Sequence, residues 1–180
     1  MAAERSLLRP TACALVILAG VTGCVPGDRR PPPAASAAPV FDPIAFFAGR
    51  THGTGTLHIL FSKTRATDVR GVGVVTAPGE ITLDQDVEQG RSPAKHRRWR
   101  LRRVEAGRYV GTLTDAVGPV DVEAKGSTLH IAFAMNGGLR AEQILYLQPG
   151  GQVALNRMTV RKLGVVVARL DERIERVERP

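Results

Sequence analysis

From Gly53 onward, apolar and polar residues alternate in short runs, and each run ends at a cluster of Gly, Pro, Asn or Asp. The clusters include "APGE", "EAGR", "AVGP", "AKGS", "MNGG" and "QPGG". A period of two places successive side chains on opposite faces of a strand. Clusters such as "NGG" and "PGG" supply the positive φ that tight hairpins need. The pattern predicts strands at about 53–61, 65–75, 79–87, 95–104, 107–114, 118–124, 127–135, 140–147, 152–161 and 164–170. No long helical stretch separates them. Regular short strands in unbroken succession predict an all-β fold, an antiparallel meander closed into a β-barrel or nearly so.

Two segments depart from this period. "FDPIAFFAG", residues 41–49, carries Phe41, Phe46 and Phe47. It reads as a short turn of helix entering the domain, with Phe46 and Phe47 as a plug and Gly49 as its stop. "ARLDERIERVERP", residues 168–180, is ambiguous. Leu170, Ile174 and Val177 have helical spacing, but a fraying strand end fits equally.

The N-terminus has a different organisation. Arg5 and Arg9 precede an apolar stretch from Thr11 to Gly20, followed by small residues, as in a secretory signal. That stretch is shorter than the ~20 residues a membrane-spanning helix requires. Val21-Thr22-Gly23-Cys24 resembles the lipobox of bacterial lipoproteins. The resemblance implies cleavage before Cys24 and a diacylglycerol on its thiol. Val25, rather than Asp, follows the cysteine, and by the sorting tendency of such lipoproteins this implies the periplasmic face of the outer membrane. Residues 25–39 are rich in Pro, Ala and Ser and cannot bury enough apolar surface to fold, so they read as a disordered tether. The expected organisation is a signal peptide at 1–23, a lipidated Cys24 and linker at 24–40, and a single domain at 41–180.

Composition narrows the chemistry. The chain has 180 residues, 43% of them hydrophobic, which is enough for one core. Its cysteines are Cys13 and Cys24, so the domain itself holds no disulfide, thiolate metal site or cysteine nucleophile. The formal net charge is +8, and the basic residues are nearly all Arg. Their densest run is "KHRRWRLRR", 95–103. On a strand, Arg97, Trp99, Leu101 and Arg103 share one face, and His96, Arg98, Arg100 and Arg102 share the other. The second face is a solvated strand surface. A secretory address argues against nucleic acid as the partner, whereas a surface facing anionic lipid headgroups fits that location. Buried arginines are costly unless paired, so Arg97 and Arg103 point to a cavity mouth with an anionic head group.

Reactive constellations are absent. None of Ser36, Ser62, Ser92 or Ser127 lies in a nucleophile elbow. His52 and His58 lie six residues apart, ~20 Å along one strand, and cannot share a metal. "GVGVV", 71–75, is a glycine-bearing strand with no helix after it to bind phosphate. The expectation is a non-enzyme without cofactor or metal.

"FFAG" at 46–49, "RRWRLRRVEAGRYVGTLTDAVG" at 97–118 and "LNRMTVRKLGV" at 155–165 resemble the DUF3833 family. The matching positions are Phe46, Phe47, Gly49, Arg97, Trp99, Tyr109, Gly111, Asp115, Val117, Gly118, Leu155, Asn156, Arg157, Lys162 and Gly164. The chain departs from the pattern at Glu142 and Gln143, where Asp is more usual, and at Leu163, where an aromatic is common. The resemblance implies a bacterial envelope lipoprotein with a lipocalin-like barrel, encoded near fatty-acid-modifying enzymes. It carries no catalytic residues. The leading expectation is binding of a lipid, fatty acid or other apolar ligand inside the barrel, by Trp99 and Tyr109 as aromatic wall and Arg97 and Arg157 as head-group clamp. The membrane is the expected partner through the lipid on Cys24. The alternative is an interaction protein with a filled barrel that binds a membrane or protein through a surface such as 95–103. A hydrolase would need a Ser and a His brought together in a cleft.

Overall fold

The computed structural model describes residues 39–177. It is a closed antiparallel barrel of ten strands with a short helix at one end. Helix α1 spans Pro43–Phe47. The strands are β1 Gly49–Ile59, β2 Arg65–Ala77, β3 Glu80–Gln89, β4 Lys95–Glu105, β5 Arg108–Leu113, β6 Ala116–Lys125, β7 Thr128–Met135, β8 Leu139–Leu147, β9 Val153–Lys162 and β10 Val165–Val177. Each pairs with its sequence neighbours, and β1 pairs with β10 to close the ring. All ten strands expected from the alternation are present, but "AVGP", expected as a turn, lies within β6, where a bulge between Val117 and Asp121 accommodates Gly118 at φ 83°. The expected signal peptide, lipidated Cys24 and tether lie outside the described residues.

The ambiguity at the C-terminus resolves as strand. β10 runs to Val177 and pairs with β1 from Arg50↔Val177 to Ile59↔Ala168. The reason is closure: without β10 both β1 and β9 would present unpaired edges, which are costly and sticky. The spacing of Leu170 and Ile174, four apart, satisfies either period, because four is also twice two.

The turns sort to two ends. Turns at 78–79, 106–107, 126–127 and 148–152 lie at the end that α1 closes. Those at 60–64, 90–94, 114–115, 136–138 and 163–164 lie at the opposite, open end. Helix α1 is the expected plug. Phe41, Ile44, Phe46 and Phe47 are buried in the main core, with Phe41 and Phe46 edge to face at 5.2 Å. The Asp42 carboxylate caps α1 by accepting from the Ile44 N–H at 2.9 Å, and accepts from Arg103 Nη2 of β4 at 2.6 Å. Arg176 of β10 donates to the Ala45 and Phe46 carbonyls. Gly73 of β2 lets the plug seat, since a Cβ there would lie 2.0 Å from the Phe47 carbonyl oxygen.

Most inward-facing side chains are apolar and most exposed ones are polar or charged. β4 follows the expected alternation, with Trp99 and Leu101 buried and His96, Arg98, Arg100 and Arg102 exposed. Acids on β3 neutralise part of this outer face. Arg98 makes two hydrogen bonds to Asp84, at 2.6 and 3.0 Å, and His96 lies 3.1 Å from both Asp84 and Asp86. Arg98, followed by His96, holds the Asp84 carboxyl below its usual range. The basic strip is thus half core strand and half solvated, partly paired surface.

Candidate functional site

The barrel interior holds a partly open cavity of about 90 Å³ lined from Phe47 at the plug to Gln89 and Arg97 towards the other end. Much of its wall is apolar: Leu57, Val69, Leu83, Val87, Leu101, Ile131, Leu145, Met158, Leu170 and Ile174. A polar belt interrupts it, contributed by Thr67, Gln85, Arg97, Gln143, Asn156 and Glu172.

The belt is built around two anchors. Trp99 faces the cavity with its ring edge to face on Phe133 at 5.8 Å, and its Nε1–H donates to Gln85 Oε1 at 2.8 Å. Asn156 donates from Nδ2 to Gln143 Oε1 at 3.2 Å and to Glu172 Oε2 at 2.9 Å. Glu172 fits because β1 offers glycine opposite it. A Cβ on Gly53 would lie 2.5 Å from Glu172 Oε1, and one on Gly55 would lie 2.5 Å from the Asp171 carbonyl oxygen. Burial pushes the Glu172 carboxyl above its usual range, against the Asn156 hydrogen bond and the Arg97 charge, which pull it down.

Three belt atoms are buried without a hydrogen-bond partner: Thr67 Oγ1, Asn156 Oδ1 and Arg97 Nε. Arg97 Nε lies 2.7 Å from Asp115 Oδ2, so the two charges are paired, but this N–H is not aligned on any acceptor. An unsatisfied buried polar atom costs about 1–3 kcal/mol. Native structures keep such atoms where water or a ligand completes them. The cavity has room, since one water needs only ~15 Å³.

The four residues expected to bind ligand do not converge. Arg97 and Trp99 line the cavity together. Tyr109 is buried at the closed end, where the Arg103 guanidinium lies 5.5 Å over its ring. Burial, then the Asp42 charge, raises the Tyr109 hydroxyl above its usual range. Its place is with the latch of α1 and not on the cavity wall. Arg157 has the wrong parity on β9: Asn156 and Met158 line the cavity, while Arg157 pairs with Asp171 at 2.8 Å. Arg103, paired with Arg97 in the sequence reading, instead holds the plug.

Glu172, Gln85, Gln143 and Thr67, which also line the cavity, are not among the ligand-binding residues the sequence pattern singles out. The signal for Glu172 was available, because it stands between Leu170 and Ile174 on the apolar parity of its strand. Among the described residues no group of three or more His, Cys, Asp or Glu is placed to hold a metal ion.

The fold is shared with a solved protein of different sequence. The S-type phycobiliprotein lyase CPES from Guillardia theta superposes with a TM-score of 0.61 at 7% identity, covering 76% of this chain and 92% of that one. At that identity the likeness shows a common lipocalin-like barrel and nothing of function. No curated protein matches the chain. The model of DUF3833, described as a protein of unknown function, matches residues 18–176. The chain therefore belongs to the DUF3833 family.

Proposed function

We propose that the barrel is a non-catalytic binder of a small amphipathic molecule, a fatty acid or a lipid head group with a short apolar part, in the bacterial envelope. One observation carries this reading: the residues Thr67 and Asn156, each with a buried side-chain oxygen that has no hydrogen-bond partner, line a largely apolar cavity beside Trp99 and the Asp115-paired Arg97. A ligand hydroxyl or carboxyl placed at the belt would complete those atoms, and its apolar body would lie against Trp99 and Leu101. Arg97 supplies positive charge for an anionic head, and Glu172, whose carboxyl burial pushes above its usual range, adds a polar group beside Asn156. The solved lyase offers a parallel in fold, a barrel of the same architecture with a protein function built on it.

The chain's address belongs to the same proposal. Val21 to Cys24, following an apolar segment, supports a diacylglycerol on Cys24 and an outer-membrane, periplasm-facing location. The second reading, a filled barrel acting through its surface, draws on the cavity's size, since 90 Å³ is well below the ~300 Å³ at which drug-sized pockets begin.

Titration with dodecanoate separates the two readings. Trp99 is the chain's single Trp, so its emission reports the cavity alone. The binding reading expects a saturable emission change at one ligand per chain, weakened about tenfold or more by Arg97→Met. Emission indifferent to dodecanoate, together with a clean unliganded mass in native mass spectrometry after incubation with envelope lipid extract, would leave the filled-barrel reading standing.

A further inference from the structure

Two residues at the open end sit where neither backbone nor solvent favours them. Phe61, in the β1–β2 turn, has φ 59°, and Leu163, in the β9–β10 turn, has φ 50°. They are the only non-glycine residues with positive φ among the described residues. Both are 94% exposed. The left-handed region disfavours branched and bulky side chains, and Asn or Gly is the usual occupant of such turns. A large apolar side chain held there in water is doubly unfavourable in the isolated barrel. Strained residues of this kind persist mostly where function uses them.

Their surroundings indicate which partner. β1 and β10 are neighbours, so the two tips stand on adjacent hairpins. Lys63, Arg65, Arg91, Lys95 and Lys162 lie in or beside the open-end turns, all exposed and none in an ion pair among the described residues. The single acid in those turns, Asp115, is already paired with Arg97. Val165, beside Leu163, is exposed as well. Apolar tips ringed by unpaired cations match the two layers of an anionic lipid surface, acyl chains beneath charged headgroups.

We propose that the open end is a membrane-docking rim, on which Phe61 and Leu163 enter the acyl region of an anionic bilayer while the surrounding cations face its headgroups. The proposal is independent of the cavity's occupancy. An empty barrel would dock in the same way, and a barrel loaded with dodecanoate in solution need not. Burying either apolar tip is worth roughly tenfold or more in affinity, and each cation near the surface about fivefold.

The full chain is tested on phosphatidylcholine vesicles containing about a third phosphatidylglycerol, in the strongly charged range where such cations count. In Phe61→Trp, bromine-labelled acyl chains are expected to quench the new Trp, while Trp99 in the unmodified chain supplies the baseline from inside the barrel. Leu163→Asn is the sharper variant. It should raise Tm, because Asn tolerates the left-handed conformation, and should also lower vesicle affinity about tenfold. A substitution that stabilises the fold and weakens binding cannot be acting through misfolding. The N-terminal segment is common to every variant and cancels in the comparison. A Trp at position 61 that is quenched by aqueous iodide but not by brominated lipid overturns the proposal. So does unchanged vesicle affinity in Leu163→Asn, which would assign the tips to a protein partner instead.

Discussion

Trp99→Phe tests whether the polar belt is built as described. The substitution keeps an aromatic ring and the edge-to-face contact with Phe133, but loses the Nε1–H that Gln85 Oε1 accepts at 2.8 Å. The lost ring volume is about 40 Å³, worth roughly 1 kcal/mol at the usual cost of residual cavity. Leaving the amide oxygen of Gln85 without its donor costs a further ~1–2 kcal/mol. The expected destabilisation is therefore about 2–3 kcal/mol. Gln85→Met sharpens the test, because it keeps the shape and removes the acceptor. In the native background it orphans the indole N–H and should destabilise by about 1–2 kcal/mol. In the Trp99→Phe background it removes an already orphaned group and should be neutral or stabilising. This change of sign is the coupling that a double-mutant cycle reads. Urea unfolding followed by far-ultraviolet circular dichroism is the appropriate assay, since the variant has no tryptophan to report. If Gln85→Met has the same sign and size in both backgrounds, solvent in the cavity already satisfies Gln85, and the belt is not a fixed hydrogen-bonded structure.

Two further outcomes follow from the same geometry. Glu172 has a carboxyl pushed up by burial, so its contribution to stability is present below the unfolded carboxyl range and is lost as pH rises through the folded value. Glu172→Gln, which stays neutral and can still accept from Asn156, should be the more stable chain at neutral pH. Its urea midpoint should fall less than that of the native chain between mildly acidic and neutral pH, and equal slopes in both chains would refute the assignment. Gly73→Ala forces a Cβ to 2.0 Å from the Phe47 carbonyl, and should cost more than ~2 kcal/mol and expose α1 to protease. Gly118→Ala, with φ 83° and open space around it, should cost only the ~1–2 kcal/mol of left-handed strain. Equal thermal shifts in these two variants would show that Gly73 does not seat the plug.

The local alternation is legible along the chain without any knowledge of the fold. Period two places Trp99 and Leu101 on one face of β4 and Arg98 and Arg100 on the other, because parity along a strand is a property of the pleat. Most of the glycine-bearing clusters marked the turns, with "AVGP" instead a bulged part of β6, and "FDPIAFFAG" announced a plug through its phenylalanines and Gly49. The ten strands and the family were legible for the same reason: these signals are short-range.

Tertiary structure decided the rest. Whether β10 is strand or helix depends on its pairing with β1, more than a hundred residues away in sequence. Which inward residues share one level of the barrel depends on register across strands. Register put Glu172 opposite Asn156 and Gly55, left Tyr109 at the latch of the plug, and set Arg157 outside beside Asp171. The belt around the cavity is thus a product of closure. No single strand carries it, and it exists only because a ring of ten strands brings Thr67, Gln85, Arg97, Gln143, Asn156 and Glu172 to face one another.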